Sequence, residues 1–301
     1  ILEAGPPGWG ASGRNGGFVG PDSSKLGLSE LKSTFGDEGV RAYYRNGLEA
    51  IDLVKNLGQD EGIDFAPQGD GELGVAHTAS RMEGMDDWAR AWGDMLGRKV
   101  EVWQQAEMAE RGYTGPEAFG AYFTHAGFAL HPMKFARGLA QACIRRGVKF
   151  HGHSEVTAWE KDGPRHRLRT PGGTLTADKV IIATNGFTRD DLHPATDGCL
   201  LPVISEIVAT RPLTDEELAR HRYQAEMPLY DKRPMFAYYR VLPDRRIHMG
   251  GPGGMTGTPA SKERWRSHHE KRIATIWPEW RDVEIEHCWR GFVCLSSDKL
   301  T

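Results

Sequence analysis

The chain has little that would commit it to an extracellular, membrane or nucleic-acid setting. Its four cysteines, Cys143, Cys199, Cys288 and Cys294, include no C-x-x-C spacing. Neither a disulfide framework nor a thiolate metal site is indicated, and reduced thiols in a cytoplasmic protein are expected. No apolar run approaches the ~18 residues of a bilayer span; the longest, Val180-Ile181-Ile182-Ala183 and Leu200-Leu201, are short. The opening residues lack the pattern of a secretory leader. Charge of one sign is not in excess: 38 Lys and Arg stand against 41 Asp and Glu, a net charge of −3. That balance gives no basis for binding a polyanion such as nucleic acid. The most basic stretch, Arg165-His166-Arg167-Leu168-Arg169, alternates as a strand does and puts its charges on a solvated face. His151-Gly152-His153 and His268-His269 lack the accompanying acid or cysteine of a metal site, and none is expected. Ser12 lacks the strand-to-helix context of a nucleophile elbow.

Glycine, by contrast, is plentiful. There are 37, clustered at 13–17, 69–74 and 250–254, against a usual share of ~7%. Glycine at such density serves tight connections and close approaches of backbone to backbone or ligand.

Periodicity outlines the rest. Val40, Tyr44, Leu48, Ile51, Val54 and Leu57 form one stripe of a helix over 38–58 that Gly58 ends. A turn-rich strand pair around Gly69-Asp70-Gly71 is expected over 65–75. Met82, Met85, Trp88, Trp92 and Met95 mark a second helix whose stripe belongs to a core. Pro132 starts a helix that closes on Arg145-Arg146-Gly147. A hairpin follows over 166–177, then 179–184, whose continuous apolar run predicts a buried parallel strand. Strands are expected over 204–210, 236–241 and 246–249, and a helix over 261–276. The alternation of α/β and strand-rich segments predicts two interleaved domains, each visited more than once.

The opening residues read Ile1-Leu2-Glu3-Ala4, then Gly8-Trp9-Gly10-Ala11-Ser12-Gly13, a literal G-x-G-x-x-G. A dinucleotide fingerprint needs its first glycine directly after the strand and a helix around its third. Here Gly5-Pro6-Pro7 intervenes, and Gly16-Gly17 follows where that helix should run, at about 1 kcal/mol each. The match is a decoy. Ile1-Leu2-Glu3-Ala4 instead has the character of a second βαβ strand, ending in the acid that takes ribose hydroxyls. Ser12, Arg14 and Asn15, set among glycines, offer donors and exposed N–H groups to phosphate and a flat heterocycle.

These residues resemble the glycine/D-amino-acid oxidase family of FAD-dependent amine oxidoreductases, in its γ-glutamylputrescine oxidase-like branch. The resemblance runs through His131-Pro132, Ala183-Thr184-Asn185-Gly186, Ala209-Thr210-Arg211-Pro212-Leu213, Tyr238-Tyr239-Arg240, the segment 246–251 and Trp289-Arg290-Gly291. It implies an α/β fold, α+β in the second domain. A Rossmann-like FAD-binding domain, incomplete, over 1–34, 126–195 and 288–301 would interleave with an antiparallel-sheet substrate domain over 35–125 and 196–287. It also implies that a first strand with its glycine turn belongs before Glu3, and that a further FAD-binding segment belongs after Thr301.

By the same resemblance, Glu3 and Ala4 meet the FAD ribose, and Ser12, Gly13, Arg14, Asn15, Gly16 and Gly17 follow the pyrophosphate and flavin. Val156 meets the adenine, and Ala183, Thr184, Asn185 and Gly186 close over the cofactor. The implied reaction is oxidation of an amine or amino acid by hydride transfer to flavin N5. Imine hydrolysis follows, and dioxygen reoxidises the flavin. A quinone acceptor, or a non-catalytic fragment, are the alternatives. The amine reacts as its neutral base, which desolvation favours. Tyr238, Tyr239 and Phe236 are the aromatic candidates for that role, although one strand face can present Tyr238 or Tyr239 but not both. Arg240 is read chiefly as an exposed strand arginine, otherwise as the partner of a substrate carboxylate.

Overall fold

The computed structural model describes residues 1–221 and 227–296. In chain order the elements are α1 (Ala11–Arg14), β1 (Phe18–Val19), α2 (Leu28–Asp60), β2 (Glu72–Ala76), α3 (Met85–Leu96), β3 (Val100–Gln104), α4 (Gln105–Glu110), β4 (Gly120–Thr124), β5 (Phe128–Ala129) and α5 (Pro132–Arg145). There follow β6 (Ala158–Asp162), β7 (Arg165–Thr170), β8 (Gly173–Ala177), β9 (Leu200–Pro212), α6 (Asp215–His221), β10 (Leu229–Asp231), β11 (Tyr238–Val241), β12 (Arg246–Pro252), α7 (Pro259–Ile276) and β13 (Ile285–Ser296).

Eight strands form one sheet in the order β13-β9-β12-β11-β10-β2-β4-β3. An antiparallel sheet was expected for the substrate domain, but β10 runs parallel to β2. The sheet is therefore mixed. It joins a half built from 72–124 to a half built from 200–296, and β2–β10 is the seam. Alternation sends Leu73, Val75, Phe123, Tyr239, Met249 and Val208 to one face, where Trp277 and Trp280 complete a core beneath α7. The other face carries Ala76 and Tyr122 against α2 and α3, through Tyr44, Trp92 and Met95. The segment 288–301, expected in the FAD-binding domain, runs over its described part as the edge strand β13, paired along its length with β9.

Several sequence expectations are corrected. Gly36, at φ +67°, is non-helical and divides α2 in two; the second segment is the helix expected over 38–58, and it runs two residues past Gly58 to Asp60. The strand pair over 65–75 does not form. Gln68 bridges to Ala129, and β2 pairs with β4 and β10, so the glycines at 69 and 71 turn the chain between partners distant in sequence. The run 179–184 is not a strand, and Ile181 is 91% exposed. A buried parallel strand needs ladder partners, and among the described residues none lies beside this one. The hairpin over 166–177 forms as expected and gains β6 as a third strand. Its arginines lie on the solvated face, paired with Asp178, Asp162 and Glu160.

At the N-terminus, residues 1–4 run parallel to 149–154. His151 N–H donates to Ile1 O at 2.9 Å, Glu3 N–H to His151 O at 2.9 Å, and Ser154 N–H to Glu3 O at 2.8 Å. The helix expected from Pro132 is α5, capped by His131, whose Nδ1 accepts from Lys134 N–H.

Candidate functional site

The loop from Gly8 to Gly17 is packed between α5 and the large sheet. A Cβ at Gly13 would fall on Gly8 O and close to Met133 Cε, so only hydrogen fits there. The single turn α1 begins at Gly10 and stops at Asn15, which confirms that no helix follows the literal motif. Asn15 shapes the exit: its Nδ2 donates to Ala11 O and Ser12 O, and its Oδ1 accepts from Gly17 N–H at 2.8 Å. Arg14 donates through Nε to Trp9 O and through Nη1 to Arg290 O, with its guanidinium over the Trp9 ring. Both side chains, expected to meet a ligand, spend these donors on building the loop. Ser12 is exposed.

The loop closes on the sheet at three places. A Cβ at Gly16 would lie 2.5 Å from the Tyr238 ring. Gly17, at φ +74°, lies against Leu130 O and Arg240 Nη2. Trp289 Nε1 donates to Arg14 O at 2.9 Å. Register explains the convergence. Tyr238, Gly250, Ile207 and Trp289 stand in one cross-strand row, and Arg240, His248 and Ala209 in the next. Both rows share a face. The Tyr238 hydroxyl lies 3.3 Å from Ser205 Oγ, Phe18 meets the ring edge-on at 5.5 Å, and burial pushes the phenol up to about 12.

Tyr239 takes the opposite face, against Trp277 at 5.2 Å, so the choice between the two tyrosines falls on Tyr238. Arg240 is buried, not exposed as the sequence suggested. It donates to Leu130 O at 2.7 Å and Gln68 Oε1 at 3.2 Å, and burial lowers it to about 10. The sequence could not show this, because its partners lie more than 100 residues away.

Glu3 is half-buried at its strand end, with Oε1 accepting from Gly5 N–H at 3.1 Å. Ser154 N–H donates to Glu3 O, and Val156, two residues on, is half-buried. The 183–186 segment is carried to the loop by Phe187, which packs on Trp9 at 5.5 Å, against Gly10, and on Phe292 at 4.9 Å. Asn185 takes φ +46°, and Gly186 lies against Phe292. The half-buried Glu3 carboxylate, a turn cleared of side chains and an aromatic sheet face form a lining that fits FAD.

The FAD dependent oxidoreductase family model matches residues 1–301. The chain belongs to that family. That membership makes it an FAD-dependent oxidoreductase, an enzyme. The chain is 30% identical to a probable oxidoreductase OrdL from Rhizobium meliloti, over 98% of its own length and 67% of that protein's. It is 26% identical to the γ-glutamylputrescine oxidoreductase of Escherichia coli, over 100% of the chain and 69% of that protein. It thus spans about two thirds of these relatives. Glycine oxidase from Geobacillus kaustophilus superposes with a TM-score of 0.75 at 22% identity, covering 100% of this chain and 77% of the other. Iminodiacetate oxidase from Chelativorans superposes at 0.71 and 15%, over 98% and 76%. No helix among the described residues is long and apolar enough to cross a membrane, and none of them are grouped to hold a metal ion.

His248 was not singled out from the sequence; a histidine in a strand gives no signal until register sets it opposite Arg240. Burial first, then the Arg240 and His131 charges, lower it from 6.5 to about 3. A neutral folded imidazole contributes stability that is complete above pH 6.5 and is lost as pH falls toward 3, because the unfolded chain then binds the extra proton. His269, lowered to about 4 chiefly by burial, acts in the same sense. Urea midpoints measured from pH 7 to pH 4 are expected to fall, and His248→Leu to flatten that fall. An unchanged slope would mean that His248 is charged in the fold.

Proposed function

We propose that this protein oxidises the C–N bond of an amine or amino acid between the Ser12–Gly17 loop and the sheet face bearing Tyr238. The observation that carries this reading is the closure of Gly16 on the Tyr238 ring. It sets the loop that the family devotes to the flavin directly against the cross-strand row that bears Tyr238 and Trp289. Glu3, the backbone of 12–17, Val156 and residues 183–186 would hold FAD. The chemistry supplied by bound FAD is two-electron oxidation of the substrate carbon, with dioxygen as final acceptor.

The remaining work falls to the chain. Tyr238 and Phe18 exclude water beside Gly16, which favours the neutral amine. Burial keeps the Tyr238 hydroxyl protonated. Arg240, tied to Leu130 and Gln68, is a positioning residue: it fixes β11 to the chain beneath the loop. The product imine is hydrolysed by water.

Glycine, iminodiacetate and γ-glutamylputrescine, the compounds in the names of the similar proteins above, and L-proline as a secondary amine form the test set. The FAD-loaded protein is expected to be bleached anaerobically by at least one, and to yield hydrogen peroxide when air is admitted. Protein that takes up FAD but is reduced by none of them overturns the amine reading. Reduction without peroxide overturns dioxygen and leaves a quinone acceptor.

A further inference from the structure

Glu72 is a buried carboxyl with no cation beside it, on the same sheet face as Tyr238 and one strand beyond Tyr230. It is 6% exposed. Tyr230 Oη donates to Glu72 Oε1 at 3.1 Å, and the Tyr122 and Tyr230 hydroxyls are hydrogen-bonded to each other. Register makes Tyr230 the direct cross-strand neighbour of Tyr238. Phe236 meets both rings, edge-on to Tyr230 at 6.3 Å and tilted to Tyr238 at 6.2 Å. Tyr230 is half-buried with its ring against exposed Phe236, so its hydroxyl and the Glu72 carboxyl lie just beneath the aromatic wall.

A carboxylate held permanently ionised at this depth would need an ion-pair partner. None of the described lysines or arginines supplies one.

We propose that Glu72, through Tyr230, accepts the proton that a substrate ammonium must lose before its carbon can be oxidised. This rests on the amine reading above. The ammonium nitrogen yields a proton to the Tyr230 oxygen while the Tyr230 proton passes to the Glu72 carboxylate. The nitrogen keeps its electron pair, and one ammonium with one carboxylate becomes a neutral amine with a neutral carboxyl.

Every group facing Glu72 agrees with that role. From β4 come Tyr122 and Thr124, the latter with a buried hydroxyl lacking a partner. From β10 comes Tyr230. From the loop before α2 comes Asp22, an exposed carboxylate that accepts from Tyr43 and Ser24 N–H and whose charge opposes a second one on Glu72. Tyr44 of α2 and Trp88 of α3 close the cluster. Lys232 is turned away, its ammonium over the Trp88 and Tyr122 rings, and Lys25 lies over Phe236. Burial is the main cause that raises Glu72 to about 8, where a carboxylate is basic enough to take an ammonium proton yet ionised in part at neutral pH. Its Oε2 lies under exposed Gly20, which opens a way for the proton to solvent.

The test follows anaerobic flavin reduction against pH, using whichever of the four compounds above reduces wild type fastest. Glu72→Gln is expected to be about 100-fold slower at pH 7. It should converge on wild type near pH 10, where an amine ionises unaided. Tyr230→Phe should do the same, and Glu72→Asp should restore part of the loss. A Glu72→Gln profile parallel to wild type, slowed equally at every pH, marks a structural role and overturns the proposal.

A second readout needs no substrate. The infrared carbonyl band of a protonated carboxyl, absent from Glu72→Gln, should titrate between pH 7 and 9. A Glu72 that stays ionised at pH 5 also overturns it. Failure of these arms in a protein that still oxidises an amine leaves the amine reading standing.

Discussion

Glu206→Ala is expected to destabilise the fold by about 3–5 kcal/mol, the cost of stranding a buried charge. Glu206 is 0% exposed and accepts from Arg290 Nε at 2.6 Å across the β9–β13 pair. Its Oε1, like Arg290 Nη2, has no other partner. Removing the carboxylate leaves Arg290 under α7 with a weak contact to Thr256 O. The double variant Glu206→Leu/Arg290→Met should recover most of the loss, since a well-packed apolar pair avoids desolvating either ion. Urea denaturation of Glu206→Leu, Arg290→Met and the double closes the cycle. A Glu206→Ala loss below about 1 kcal/mol would show the pair to behave like a surface ion pair. The damage should reach the loop, because Arg290 O and its β13 neighbours Trp289 and Gly291 all meet Arg14.

Gly17→Val is the second large effect. The residue has φ +74°, a conformation that costs an L-residue about 1–2 kcal/mol. Any Cβ also falls on Leu130 O, whose residue donates its own N–H back to Gly17 O at 2.7 Å, and within 3.0 Å of Arg240 Nη2. Strain and collision together should cost about 3 kcal/mol or more, and flavin uptake should fall with them. Gly62→Val supplies the control. Gly62 has a similar φ of +63° and nothing within 4 Å of its Cβ, so it isolates the strain. Equal losses at the two positions would remove the packing argument for the loop.

What the sequence disclosed was local. Pro132 with His131 marked α5, Gly172-Gly173 marked the hairpin, and the spacing of Gly5-Pro6-Pro7 and Gly16-Gly17 exposed the decoy motif, because each rests on the conformations of a few adjacent residues. The site was legible as far as its loop. Tyr238 over Tyr239 was not, because strand parity depends on register with β12, which no single strand encodes. Arg240 defeated the reading for a related reason: burial of an arginine depends on acceptors at Gln68 and Leu130 that only the fold brings near. The apolar run 179–184 misled because hydrophobicity signals a partner without supplying one. Glu72 and Tyr230, 158 residues apart, gave no signal at all.

The parallel seam between β2 and β10 bears on how the molecule assembles. Each half of the sheet is stitched by neighbours from its own stretch of chain, whereas the seam joins positions separated by the whole 125–199 segment. Closing so long a loop is entropically slow, so the halves should form first and dock last. Tyr122–Tyr230 and Glu72–Tyr230 both cross that line. A refolding chain should therefore acquire its compact halves and their tryptophan signals before its buried hydroxyl chain exists. Competence would arrive as a distinct final event, and a weakened seam would delay activity without delaying collapse.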